Sequence, residues 1–235
     1  MKQKRINFLK IGILFAVLAC ICMCFLACKK NKEKKKITSS VIKAEQEEDV
    51  SNDAKKLPDG MIQDLLNGRE ITYCNQKDAQ WRDIPYGQST VGESGCGPTS
   101  MAICISTLTG KKVTPKETAQ WAKKNGYYIH NAGSKHSLMK ALAEKYHLKC
   151  RGARRSDIEV AKALKEGKMV VALMGRGHFA KEGHFVVLTG YKDGKVSVAD
   201  CDSRKRTKRI WDLNLIWEEA RSTATAGGPF WVISK

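Results

Sequence analysis

From Met169 onward the spacing of apolar residues changes, and this change restricts the fold more than any other feature. The stretches "MVVALM" (169–174), "HFVVLTGY" (184–191), "VSVAD" (196–200), "TKRIW" (207–211) and "PFWVIS" (229–234) are short and rich in β-branched and aromatic residues. Runs of this kind, bounded by Gly or Asp, predict strands. Asp193-Gly194 within "YKDGKV" supplies a two-residue turn, so two of the strands form a hairpin. Before Met169 the pattern is helical. Pro98 suits the first helical position after Cys96, and Met101, Ile103, Ile105 and Leu108 make a buried segment that Gly110 ends. "TPKE" (114–117) is a capping box opening a helix to about Lys124, which Gly126 stops. Apolar residues at 138, 139, 142, 146 and 148 mark a further helical face. Ser156 caps "DIEVAKALKEG", which ends on Gly167, and Asp212 caps a last short helix through Ala220. Helices first and strands afterwards predict an α+β fold, with N-terminal helices packed on a C-terminal antiparallel sheet.

The first 59 residues read differently. Lys2, Lys4, Arg5 and Lys10 precede an uncharged apolar stretch from Ile11 to Ala27, and a lysine-rich run follows. That stretch spans about 25 Å as a helix, against a hydrocarbon core of about 30 Å, and starting from Phe8 the length suffices. Residues 1–28 are therefore expected to be a signal, membrane anchor or lipoprotein signal. "FLAC" before "KK" resembles a bacterial lipobox, with Cys28 as the lipid-modified residue; Phe25 departs from that pattern, and apolar sequence continues past the alternative Cys20. Residues 29–59 are polar and charged and read as a disordered linker. Residues 60–235 form the domain, enough for one sizeable core.

The formal net charge of +18 divides into +9 over residues 1–36, −3 over 37–59 and +12 over 60–235. Counting Lys and Arg on both flanks of the apolar stretch favours a cytoplasmic domain. Cleavage of a lipoprotein signal removes that conflict, and the expected location is the outer face of a bacterial cell membrane. There a basic domain suits an anionic wall or lipid surface. The densest basic cluster, Arg204 to Arg209, belongs to no stripe interleaved with aromatics, so no nucleic-acid partner is expected.

Nine cysteines fall into two sets: Cys20, Cys22, Cys24 and Cys28 near the N-terminus, and Cys74, Cys96, Cys104, Cys150 and Cys201 in the domain. The domain has no C-x-x-C and no paired metal spacing, so no zinc site or other cofactor is expected. Disulfides are compatible with Cys74, Cys104, Cys150 and Cys201, in pairings the sequence leaves open. Cys96 lies between Gly95 and Gly97 before a helix's first turn. There free N–H groups and the helix dipole favour thiolate, and flanking glycines allow close approach. Cys104, mid-helix among Ile and Met, reads as an inert buried thiol. A thiol nucleophile needs a base. His184 opens the most apolar strand, where a rigid element can aim it; His178 in "GRGHF" is the rival, and His136 and His147 read as surface or satisfied residues. Asp200 ends the hairpin partner of that strand and can orient His184, with Asp202 as the fallback.

These blocks carry a resemblance. "YCNQKDAQWRDIPYG", "GCGPTSMAICIS", "GHFVVLTGYKDGKVSVADCDS" and the closing "FWVIS", in this order over residues 70–235, resemble the papain-like cysteine peptidases similar to bacteriocin-processing (double-glycine leader) peptidases. The resemblance implies Cys96 as nucleophile, His184 as base, Asp200 as orienting residue and Gln76 as oxyanion-hole donor. Trp81 and Tyr86 are expected to pack the N-terminal loop. Where that family has Asp-Pro after the second hairpin strand, this chain has Asp200-Cys201, which puts a further thiol near the site. The expected function is a membrane-tethered extracytoplasmic cysteine peptidase acting on a peptide or protein substrate. The alternative is a catalytically inactive papain-like module that binds peptide or cell wall.

Overall fold

The structure, a computed structural model, describes residues 60–153 and 156–235. The expected signal or anchor (1–28) and linker (29–59) lie outside the described residues. No helix among the described residues is long and apolar enough to cross a membrane.

Along the chain, β1 (Met61–Gln63) and β2 (Glu70–Thr72) form a hairpin, as do β3 (Pro85–Tyr86) and β4 (Ser89–Thr90). α1 (Val91–Ser94), α2 (Cys96–Thr109) and α3 (Pro115–Lys124) follow, then the β5 (Tyr128–Ile129) and β6 (Gly133–Ser134) hairpin and α4 (Leu138–Lys145). The second half comprises β7 (Lys149–Gly152), α5 (Asp157–Lys165), β8 (Met169–Met174), β9 (His184–Lys192), β10 (Lys195–Ala199), α6 (Arg204–Thr207), β11 (Ile210–Asp212), α7 (Leu213–Glu219) and β12 (Phe230–Ser234). Six strands make one sheet in the order β11-β10-β9-β8-β12-β7, with every neighbouring pair antiparallel.

The apolar runs of β8, β9 and β12 follow from burial of both sheet faces. Met169, Val171, Leu173, Phe185, Val187, Trp231 and Ile233 join one core with Met101, Ile105, Leu138 and Leu142 from α2 and α4. Their alternate neighbours Val170, Ala172, Val186, Leu188, Phe230 and Val232 join a second core with Val160 and Leu164 of α5 and Ile216 of α7. The expected stacking of N-terminal helices on the sheet thus describes one face only, because α5 and α7 cover the other. The capping box at Thr114 and the cap at Ser156 form as read. Thr114 accepts from the Glu117 N–H at 3.2 Å while Glu117 accepts from the Thr114 N–H at 2.7 Å, and Ser156 accepts from the Glu159 N–H at 3.1 Å.

Three local expectations are corrected. The helix of the second sequence block starts at Cys96 with Gly95 as its cap, so Pro98 is the third helical residue, not the first. "TKRIW" is not one strand: Ser203 accepts from the Arg206 N–H at 3.2 Å and winds Arg204–Thr207 into a turn of helix before β11 begins. Residues 149–152 form an edge strand that the reading from sequence missed, because a single apolar residue, Cys150, gives "KCRG" no pattern.

One irregularity positions the later site. At the β9–β10 turn both Asp193 and Gly194 have positive φ, 48° and 81°, as a tight hairpin requires. Near the turn Ser197 faces Gly190, but Val198 already faces Leu188, so β9 carries one extra residue there. Continuing the shifted register sets Asp200 across from Val186, on the sheet face shared by alternate residues Val186 and His184. In the unshifted register Asp200 would sit across from Val187 and point to the opposite face. Asp64 holds this bulge. Its Oδ2 accepts from the hydroxyls of Thr189 and Ser197, and its Oδ1 accepts from the N–H groups of Leu66 and Asn67 at 2.9 and 3.1 Å. A Cβ on Gly190 would lie 2.4 Å from Asp64 Oδ1 and 2.7 Å from Ser197 Oγ. Gly190→Ala is therefore expected to lower unfolding free energy by about 2 kcal/mol, measured by urea denaturation.

Candidate active site

Cys96 is the first residue of α2, where backbone N–H groups have no intrahelical partner. Its half-buried thiol bonds the His184 side chain and the N–H groups of Gly97 and Phe185. Burial pushes the thiol pKa up, but the hydrogen bond and charge of His184, with the two backbone bonds, outweigh it, and the net direction is down. The flanking glycines admit this chain's own segments. A Cβ on Gly95 would lie 2.4 Å from the Val91 carbonyl oxygen, and one on Gly97 would lie 2.8 Å from Ser134 Oγ.

His184 begins β9 and is buried. Its Nε2 lies 2.8 Å from Asp200 Oδ1, which leaves Nδ1 for the Cys96 thiol. Burial lowers the imidazole pKa, yet its bonds to Asp200 and Cys96 and their charges raise it overall. Asp200, fully buried just past β10, is held from several sides. Oδ1 also accepts from the N–H groups of Asp202 and Ser203 at 2.8 and 3.2 Å, and Oδ2 accepts from Arg206 Nε. Burial alone would raise this carboxyl; His184 and Arg206 together hold it below the ordinary carboxylate value. The Asp200 backbone is pinned too, its carbonyl accepting from the Tyr73 hydroxyl at 2.8 Å and its N–H donating to Thr207 Oγ1 at 3.0 Å.

Gln76 is buried beside Cys201. Its N–H donates to the Cys201 carbonyl at 2.7 Å and its Nε2 donates to the Gly92 carbonyl at 2.8 Å. Cys201 Sγ lies 3.6 Å from the Cys96 carbonyl oxygen, so Gln76 and Cys96 share a neighbour. The ligand atoms of His184, Asp200 and Cys201 lie within 4.8 Å of one another, close enough for a metal ion by distance alone. His184 and Asp200 are already bonded to each other, Asp200 to Arg206 and Cys201 to Gln76, and the guanidinium on Asp200 opposes a second cation.

The rival residues are placed elsewhere. His178 Nδ1 pairs with Glu219, and its N–H donates to Glu219 Oε2 at 2.8 Å. Asp202 pairs with Lys77 at 2.7 Å and with Arg206 at 3.4 Å, not with His184. His136 Nδ1 accepts from the Thr225 N–H at 2.9 Å, a satisfied residue as expected. Trp81 and Tyr86 are buried, bonded to the Asn75 carbonyl and to Ser134 Oγ. The five described cysteines are free thiols. Burial pushes Cys74 up to about 12 and Cys150 up to about 11, and raises Cys104 and Cys201 as well, so Cys96 alone of the five is shifted down. The sequence reading missed Arg206, whose guanidinium clamps Asp200 and lies 6.0 Å over the Phe179 ring. Its signal was an arginine six residues after Asp200, hidden in the basic cluster Arg204 to Arg209.

A thiol at a helix start, bonded to an imidazole that a buried carboxylate orients, is the equipment of a cysteine hydrolase. Residues 69–225 match the Peptidase_C39 like family, and the chain belongs to that family of cysteine peptidases. Similar solved structures include a C39-like peptidase from Bacillus anthracis, with TM-score 0.49 and 17% identity over 69% of this chain and 94% of that one. The peptidase domain of Streptococcus ComA, a bifunctional ABC transporter of a quorum-sensing pathway, has TM-score 0.43 and 15% identity over 60% and 89%. A double glycine motif protease from an AMS/PCAT transporter, in complex with its leader peptide, has TM-score 0.43 and 20% identity over 74% and 96%. No curated protein matches the sequence.

Limiting alkylation with iodoacetamide near pH 7, read by peptide mass spectrometry, is expected to modify Cys96 ahead of Cys74, Cys104, Cys150 and Cys201. In His184→Ala that preference should disappear.

Proposed function

We propose that this protein hydrolyses a peptide bond through a thioester on Cys96. The observation that carries the reading is the hydrogen-bonded chain Cys96–His184–Asp200, with its thiol lowered and its imidazole raised. The Cys96 thiolate attacks the carbonyl carbon, and the oxyanion takes bonds from the Cys96 N–H and from the Gln76 Nε2 hydrogen not spent on Gly92. His184 Nδ1 gives its proton to the leaving amine as the C–N bond breaks. A water then enters, loses a proton to His184 Nδ1 and attacks the thioester, which releases the carboxylic product and restores the thiolate. Asp200 keeps Nε2 protonated and the ring turned toward sulfur, and Arg206 keeps Asp200 ionised and in place.

The working form is the thiolate–imidazolium pair. It forms as Cys96 loses its proton, at a pH below the ordinary thiol value of 9.0, and is lost when His184 loses its proton, above the ordinary imidazole value of 6.5. Turnover of a fluorogenic peptide selected from a library should follow a bell in pH with those two limbs. Cys96→Ser should abolish turnover, and His184→Ala should cut kcat by about 10³-fold. A retained rate in Cys96→Ser would sink the mechanism.

The same reading sets the domain outside the cell membrane, held by residues 1–28 and spaced from it by residues 29–59. Support comes from the basic start, the apolar stretch and the "FLAC" sequence before Cys28. Cells fed a labelled fatty acid are expected to label the chain, with the label lost in Cys28→Ala. Unlabelled chain retained in the membrane fraction would instead point to an uncleaved anchor helix.

A further inference from the structure

Cys201 is fully buried beneath the site, and the mechanism above does not use it. Its Sγ lies 3.4 Å from Gln76 Oε1, 3.5 Å from the Phe185 carbonyl oxygen, 3.6 Å from the Cys96 carbonyl oxygen and 3.7 Å from Ser100 Oγ. A thiol has one proton to give. The Phe185 carbonyl already accepts from Ser100 Oγ at 3.2 Å. The Cys96 carbonyl opens the helical ladder, where the N–H four residues on is its regular donor. Ser100 Oγ is the most distant of the four, and Gln76 Oε1, the nearest, has no other donor among the described residues, so the S–H proton goes there. Burial raises the thiol pKa and keeps that proton on sulfur.

The other end of the amide is fixed by the 2.8 Å bond from Gln76 Nε2 to the Gly92 carbonyl. A flipped amide would set Oε1 against that carbonyl, two acceptors in contact, and would turn its N–H group toward the thiol. The backbone bond from the Gln76 N–H to the Cys201 carbonyl, 2.7 Å, fixes the separation of the two residues. The amide is thus clamped at both ends with one Nε2 hydrogen left over.

We propose that Cys201 is a positioning residue: its S–H fixes the Gln76 amide so that the free Nε2 hydrogen faces the developing oxyanion. This rests on the reading of Gln76 as an oxyanion donor. It makes the residue after the orienting aspartate a determinant of the oxyanion hole rather than a spare thiol.

The test uses the full-length chain, the fluorogenic peptide selected above, and Cys201→Ala, Cys201→Val, Cys201→Ser, Gln76→Ala and the Gln76→Ala/Cys201→Ala double variant. Two rates are read: kcat, which passes through a tetrahedral oxyanion, and alkylation of Cys96 by iodoacetamide, which forms none. Losing one oxyanion donor costs about 10²-fold in kcat, and losing its orientation is expected to cost about tenfold with KM unchanged. Cys201→Ala and Cys201→Val, the second refilling the space without a donor, should show that loss while Cys96 alkylates at the wild-type rate. Cys201→Ser keeps a donor and should return to within about threefold of wild type, and the double variant should be no slower than Gln76→Ala. Wild-type kcat in Cys201→Val, losses that multiply in the double variant, or alkylation that slows with kcat would each overturn the proposal. Wild-type kcat in Gln76→Ala alone would instead remove Gln76 as a donor, and this proposal with it.

Discussion

The geometry of this molecule turns on where the β9–β10 ladder slips by one residue. Side chains alternate between faces along a strand, so a single extra residue decides whether Asp200 and His184 share a face or are separated by the sheet. Asp64, from the N-terminal hairpin region, fills the slip by accepting from Thr189, Ser197 and two backbone N–H groups. Its partners at the sheet lie 125 and 133 residues away in sequence, so the start of the domain is built into the register of its later half. The placing of Asp200 beside His184 therefore depends on a contact made outside the candidate site itself.

From that register the site follows as a run of charges, each supporting the next. Arg206 holds Asp200, Asp200 holds the His184 ring, and His184 lowers the Cys96 thiol. Buried charges of this kind are costly unless paired and hydrogen-bonded. Asp200 meets that condition with four side-chain bonds as well as bonds to its own N–H and carbonyl. Under this layer Cys201 touches Gln76, the Cys96 carbonyl and the carbonyl of Phe185 beside His184.

Much of this was legible in the sequence, and the gaps have physical reasons. Asp193-Gly194 marked the hairpin because few dipeptides adopt two positive φ angles, and the capping residues marked helix starts because their bonds are local. The meeting of Cys96, His184 and Asp200 followed from motif order and from strand ends lying side by side. The slip left no trace, because β9 is apolar on both faces and "HFVVLTGY" reads the same in either register. The second helical layer was missed for the same reason: a strand buried on both faces does not say what covers each one. Arg206 was hidden because its partner is the carboxylate already assigned to His184, and four residues of helix capped by Ser203 carry no apolar period.

The clamp of Arg206 on Asp200 has a consequence for how the site meets a strongly basic surface. In the proposed working form, thiolate, imidazolium, carboxylate and guanidinium make a quartet whose charges sum to zero, and the sum stays zero when the proton passes from imidazole to sulfur. A neutral set of this kind has a field that fades faster with distance than that of a lone charge, and the burial of His184 and Asp200 limits what dissolved salt does to it. The excess of +12 over residues 60–235 is therefore carried by side chains outside the quartet. Ionic strength then acts mainly on the approach of a substrate to this domain and much less on the bond making that follows.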